Sequence, residues 1–184
     1  MEEYRSGTWI NKSIMCCIVI VIGSRLSGPC SPTETNWCPS LFNQNNLHTD
    51  AAVKSRHNFI GVRALIRYHE GQVLAAASKF FFGCFSIETT ELLAVRGGIV
   101  LAGRANLPIS RIEFDALRVV QGLKSCSPFA SLAPIYFDVK FLCSSANHGP
   151  CHFITRDGNK VTYYLADLAF RYPRDIEICS DLIV

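Results

Sequence analysis

The chain has 184 residues, 49% hydrophobic and 18% charged, with a formal net charge of +3. That balance excludes a disordered chain and suits one packed domain with an appended segment. The small positive charge weakly favours an anionic partner and lacks the basic excess of a strong nucleic-acid binder.

Residues 1–41 differ from the rest. The run from Ile14 to Gly23, "IMCCIVIVIG", is unbroken and apolar. A bilayer span needs about 20 such residues, so no stable membrane span is expected. The run is long enough for a signal-peptide core, but Glu2 and Glu3 offset Arg5 and Lys12, and no positive n-region precedes it. "SGPCSPTETNWCPS" is rich in turn formers and reads as a linker. The segment is therefore expected to be a poorly ordered hydrophobic and linker extension. The nine cysteines are odd in number and include no Cys-x-x-Cys pair, which points to reduced thiols rather than a disulfide framework. Together these favour an intracellular location, nucleus or cytoplasm. Secretion through the apolar run is the minority alternative.

Residues 42–175 carry the regular patterns of one domain, and 176–184 read as a tail. "NLHTDAAV" suits a strand. "IGVRALIRY", "HEGQ" and "VLAAASKFFF" read as a hairpin turning at Glu70-Gly71. A helix follows from about Ser86, a good N-cap, to Ala105, with Leu92, Val95, Ile99 and Ala102 on one face. Gly97 and Gly98 in its middle each cost about 1 kcal/mol relative to alanine. They mark either a weakness or a close packing point. "ISRIEF" is a strand and "DALRVVQGLK" a helix. "SLAPIYFDVKFLCSSA" is helical from Pro134, a residue tolerated in a first turn. "PCHFIT" is a strand, and "DGNKVTYYLADLAFRY" a final amphipathic helix. The order β-β-β-α-β-α-α-β-α implies a mixed sheet with helices on its faces.

Three acids sit at informative points of this order: Asp50 closing a short extended run, Glu91 one turn into the first helix, and Asp115 at a strand-to-helix junction. Carboxylates gathered at such places can hold hard divalent cations such as Mg²⁺, with Mn²⁺ a second possibility. Each has a plainer reading. Asp115 alone suits a helix N-cap, Glu91 complements a helix dipole, and Asp50 could be an ordinary strand acid. His148, Cys151 and His152 in "HGPCH" offer three ligands and no second cluster, which is too little for a zinc site. Arg63, Arg67, Lys79, Arg104, Arg111 and Arg118 are scattered and individually read as solvated surface charges, with phosphate contact the alternative.

Taken together, "TDAAV", "GVRALIRYHEGQVLAAAS", "ETTELLAVRGGIVLA", "LPISRIEFDALRVVQ" and "CHFITRDGNKVTYYLADLA" resemble the ribonuclease H-like domains of plants and retroelements. The likeness covers about two-thirds of the chain in the family's order. It implies an α/β ribonuclease H-like fold: a five-stranded mixed sheet, three antiparallel strands then two parallel, flanked by helices. It implies endonucleolytic cleavage of the RNA strand of an RNA–DNA hybrid by two-metal phosphodiester hydrolysis, with Asp50, Glu91 and Asp115 as catalytic ligands of the two ions. It also implies nucleic acid as the partner. A monomer is assumed.

The family's fourth acid, four residues after the asparagine of the "GN" turn, falls on Tyr163. Tyrosine, with an ordinary pKa of about 10, does not replace a carboxylate or imidazole at neutral pH. Plant relatives often carry histidine there. Asp167 is one turn further, and a displacement of about 6 Å is large for metal geometry. His48 stands where asparagine is usual, and the loop bearing a proton-shuttling histidine in bacterial relatives is reduced to "TRDG". Weakened activity is the expectation, and an inactive nucleic-acid- or partner-binding module is the alternative.

Overall fold

The computed structural model describes residues 42–54, 58–125, 127, 130–159, 162 and 175–179. The N-terminal extension, Tyr163, Tyr164, Asp167 and almost all of the expected last helix lie outside the described residues.

Three long strands come first: β1 Asn45–Lys54, β2 Phe59–Tyr68 and β3 Val73–Phe82. β2 and β3 form the expected hairpin. Its turn is closed by the Gly71 N–H donating to the Tyr68 carbonyl at 2.8 Å. Gly71 has φ +88°, a left-handed conformation that glycine adopts without steric cost. β4 Arg111–Phe114 and β5 Cys151–Phe153 then add parallel strands. The crossovers are helical: α1 Ile87–Arg104 before β4, then α2 Leu117–Ser125 and α3 Ala133–Ser145 before β5. Ser86 caps α1, its hydroxyl accepting from the Thr89 N–H at 3.0 Å. Pro134 stands in the first turn of α3.

The five expected strands are all present, three antiparallel and two parallel, and a sixth joins them, giving the order β5-β4-β1-β2-β3-β6. The additional strand, β6 Ile176–Cys179, comes from the stretch read as a tail and pairs antiparallel with β3. Without it β3 would present an open edge of unpaired backbone groups at this point. Asp175 leads into the pairing by accepting from the Phe80 N–H at 3.1 Å.

One face of the sheet builds the main core with the helices. Leu47, Ala64, Ile66, Ala75 and Ala77 meet Leu92, Val95, Ile99 and Ala102 of α1, while Val119, Val120, Tyr136 and Val139 extend the cluster through α2 and α3. All four residues of the expected apolar face of α1 are buried. Gly98 resolves the two readings of the glycine pair. A Cβ there would lie 2.8 Å from Leu47 Cδ1 and 3.0 Å from Thr49 Cγ2, whereas one at Gly97 would meet nothing within 4 Å. Gly98 therefore lets α1 lie close on β1.

Alternate positions of the same strands carry buried polar groups: Asn46, His48, Asp50, Arg63, Arg67, Ser78 and Glu113. The surface reading of Arg63 and Arg67 is corrected here, since each is only 1% exposed. They lie on β2, inside a six-stranded sheet, where both neighbours and both faces can exclude water. No helix of the described residues is long and apolar enough to cross a membrane.

Candidate metal centre

Parallel pairing of β1 with β4 sets His48 opposite Glu113, so Asp50 and Asp115 lie equally far along neighbouring chain segments. Asp50 is the sixth residue of ten-residue β1 rather than its end. Asp115 follows the last residue of β4. The Ala116 carbonyl accepts from the N–H groups of Val119 and Val120, which puts the helix opening after Asp115. The carboxylate of Asp115 accepts from Arg156 Nε at 3.2 Å. Glu91 is the fifth residue of α1, brought to the sheet by the close approach at Gly98. One ligand atom from each of Asp50, Glu91 and Asp115 falls within 4.8 Å of the others. Among the described residues this is the one group of three or more candidate ligands gathered so closely; His148, Cys151 and His152 do not converge.

The electrostatics are those of crowded, desolvated acids. Burial pushes Asp50 up to about 6. Arg63 opposes that rise, Asp115 adds to it, and the Ala51 N–H and Arg156 oppose it. Burial raises Glu91 further, to about 8, with Asp50 and Asp115 adding to the shift and Arg156 opposing it. Glu91 Oε2 is buried with no hydrogen-bond partner among the described residues. Such an orphaned carboxylate oxygen, beside two more acids, fits a hard divalent cation. Asp50, Glu91 and Asp115 would hold it.

Three further residues shape the site. Arg63 stands cross-strand from Asp50, with its Nη1 3.6 Å from Asp50 Oδ2. Arg156, in the short "TRDG" turn, pairs with Asp115. Asn159 donates from Nδ2 to the Thr49 carbonyl at 2.9 Å, fastening the "GN" turn to the strand beside Asp50. Thr162 in turn donates to the Asn159 carbonyl at 2.9 Å and also contacts its side-chain oxygen. Asn159 was legible as a turn marker. The two arginine pairings depend on strand register and loop path, which local patterns do not carry.

His48 lies 3.4 Å from Glu113 through Nδ1. Burial and the nearby Arg67 charge hold its pKa well below the ordinary histidine value. The contact is therefore polar, between a neutral imidazole and Glu113, and not an ion pair.

A family profile described as reverse transcriptase-like matches residues 48–169. Solved structures agree with it. The chain is similar to LC11-RNase H1, isolated from compost by a metagenomic approach, at 14% identity and a TM-score of 0.60, covering 71% of this chain and 97% of that one. The N-terminal RNase H domain of Rv2228c from Mycobacterium tuberculosis superposes at 16% identity and a TM-score of 0.61, covering 70% and 94%. LC11-RNase H1 in complex with an RNA/DNA hybrid matches at 13% identity and a TM-score of 0.57, covering 69% and 99%. No curated protein matches the chain.

Proposed function

The chain belongs to the reverse transcriptase-like family with its ribonuclease H fold, and on that premise we propose that it is a metal-dependent endoribonuclease acting on the RNA strand of RNA–DNA hybrids. The observation that carries the reading is the convergence of Asp50, Glu91 and Asp115 within 4.8 Å. They come from the first strand, the first helix and the end of the fourth strand, as the family resemblance requires. The hybrid bound in one of the similar structures supports the substrate class.

Mg²⁺ is the proposed ion, with Mn²⁺ able to replace it. Of two such ions, one would lower the pKa of a bound water and the other would stabilise the departing 3′-oxygen. Asp50 and Glu91 would contribute charge from a buried setting, where it acts with little screening, and Asp115 closes the group from the β4–α2 link. Arg156 is 82% exposed at its side chain while holding Asp115. Its exposure at the rim of the site also suits contact with a phosphate. Selection of the hybrid would come from groove shape and 2′-hydroxyl contacts rather than base sequence. The proposed workplace is the nucleus or cytoplasm, and the described cysteines Cys84, Cys143, Cys151 and Cys179 carry free thiols in keeping with it.

A second reading rests on one specific feature. Tyr163 occupies the fourth acidic position, and a chain that held hybrids without cutting them would fit a three-acid site. The two readings separate when labelled RNA–DNA hybrid, all-RNA duplex and all-DNA duplex are offered to the protein in Mg²⁺. Cleavage confined to the RNA of the hybrid is the expected result. Hybrid binding without cleavage by folded protein would establish the second reading, and neither binding nor cleavage would exclude both.

A further inference from the structure

Two arginines are buried on β2, each near a different acid: Asp50 on the neighbouring β1, and Glu113 on β4, one strand beyond. Arg63 faces Asp50 across the β1–β2 pairing, 3.6 Å from its carboxylate. Arg67, four residues on, lies near Glu113, whose charge supports its protonation. Both are 1% exposed. A guanidinium keeps its charge at any physiological pH and is costly to bury. The wall of the acidic cluster therefore contains a permanent positive charge aimed at one of the candidate ligands. An ion bound to Asp50, Glu91 and Asp115 has to share Asp50 with that charge, in surroundings where little water intervenes to weaken the repulsion.

We propose that Arg63 is a positioning residue and the resident counter-cation of the acidic site. It holds Asp50 in place when no ion is bound and opposes a divalent ion when one arrives, so that the site is tuned to loose, exchangeable metal binding. This rests on the metal reading of the three acids given above. A purely structural ion pair makes a different forecast: its loss would affect stability and leave intrinsic metal affinity unchanged or lower. Arg67 supplies the internal control, since it is equally buried on the same strand and faces Glu113 instead of the cluster.

The test is calorimetric titration of Mn²⁺ into the full chain at about pH 8.5, where the carboxylates compete least with protons, with circular dichroism verifying the fold of each variant. Arg63→Gln is expected to bind Mn²⁺ on the order of 10-fold more tightly than the wild type. Arg63→Lys, which keeps the charge, and Arg67→Gln, which removes a charge elsewhere, are expected to stay within about twofold of it. A folded Arg63→Gln protein that binds no more tightly than wild type overturns the proposal while leaving the metal site standing. Absence of binding by wild type and Arg63→Gln alike overturns the metal reading and the proposal together. Should Arg63→Gln fail to fold, side-chain nitrogen NMR of the wild type decides. Mg²⁺ is expected to shift the guanidinium resonance that vanishes in Arg63→Lys and not the one that vanishes in Arg67→Gln, and an unmoved Arg63 signal overturns the proposal.

Discussion

At the scale of single residues, the two buried acids of the cluster are set up to respond unequally to neutralisation. Glu91 is raised to about 8 by burial and by its acidic neighbours, and its Oε2 has no hydrogen-bond partner among the described residues. Glu91→Gln removes a charge the fold tolerates poorly, so the metal-free protein should gain on the order of 1–3 kcal/mol at about pH 8.5. Asp50 has Arg63 beside it. That guanidinium limits the rise of Asp50 to about 6, so Asp50→Asn should stabilise the metal-free protein less than Glu91→Gln does. Urea denaturation in the presence of a chelator checks the order of the two variants and the wild type. The three acids stood out in the sequence through the order of the segments around them, since each alone has a plainer reading. Arg63 and Arg67 did not, since an arginine in a strand gives no local sign of which side chain it will face once the strands pair.

The elements divide in the same way. The β2–β3 hairpin and α1 were legible because their signals are local: a glycine turn between two apolar runs, and an apolar face led by a serine cap. β6 was missed because four residues, "IEIC", become a strand only through the open edge of β3, a partner about 100 positions away in the chain. The glycine pair in α1 shows what packing adds to propensity. Gly97→Ala meets nothing within 4 Å and should stabilise the protein by about 1 kcal/mol. Gly98→Ala drives a methyl into buried Leu47 and Thr49, and overpacking of about 1–3 kcal/mol should more than cancel the same helix gain. The denaturation midpoints should therefore rank Gly97→Ala first, wild type second and Gly98→Ala last. Because Gly98 also sets how near α1 comes to β1, the last variant should bind Mn²⁺ more weakly as well.

For the molecule as a whole, the acidic cluster ties stability to pH. Asp50 and Glu91 bind protons more tightly in the folded state, near 6 and 8, than in the unfolded chain, where ordinary values of 3.8 and 4.5 apply. The folded state then holds more protons than the unfolded one between those limits. Their stabilising contribution is complete below about pH 4 and is lost as pH rises through 6 and then 8. Thermal melts in chelator should show the melting temperature falling from about pH 5 to pH 8.5. The fall should be smaller in Glu91→Gln, and Mg²⁺ should recover most of it at the alkaline end while changing little at pH 5, where protons occupy the site. A wild-type slope equal to that of Glu91→Gln would show that the carboxylates do not carry this linkage. The order of elements across the domain was legible as a mixed sheet with helical crossovers. The buried polar side of the sheet was not, because it comes from register and from burial on both faces.

The most direct measurement is cleavage of a hybrid labelled on its RNA strand, comparing wild type with Glu91→Gln in Mg²⁺ and in Mn²⁺, with circular dichroism confirming both folds. Glu91→Gln is the sharpest control because it should be the more stable protein while lacking one ligand. The expected result is metal-dependent cutting of the RNA by wild type and a loss on the order of 100-fold or more in the variant. Equal cleavage by the two folded proteins, or none by wild type with either metal, would contradict the assignment of the three carboxylates as a working metal site.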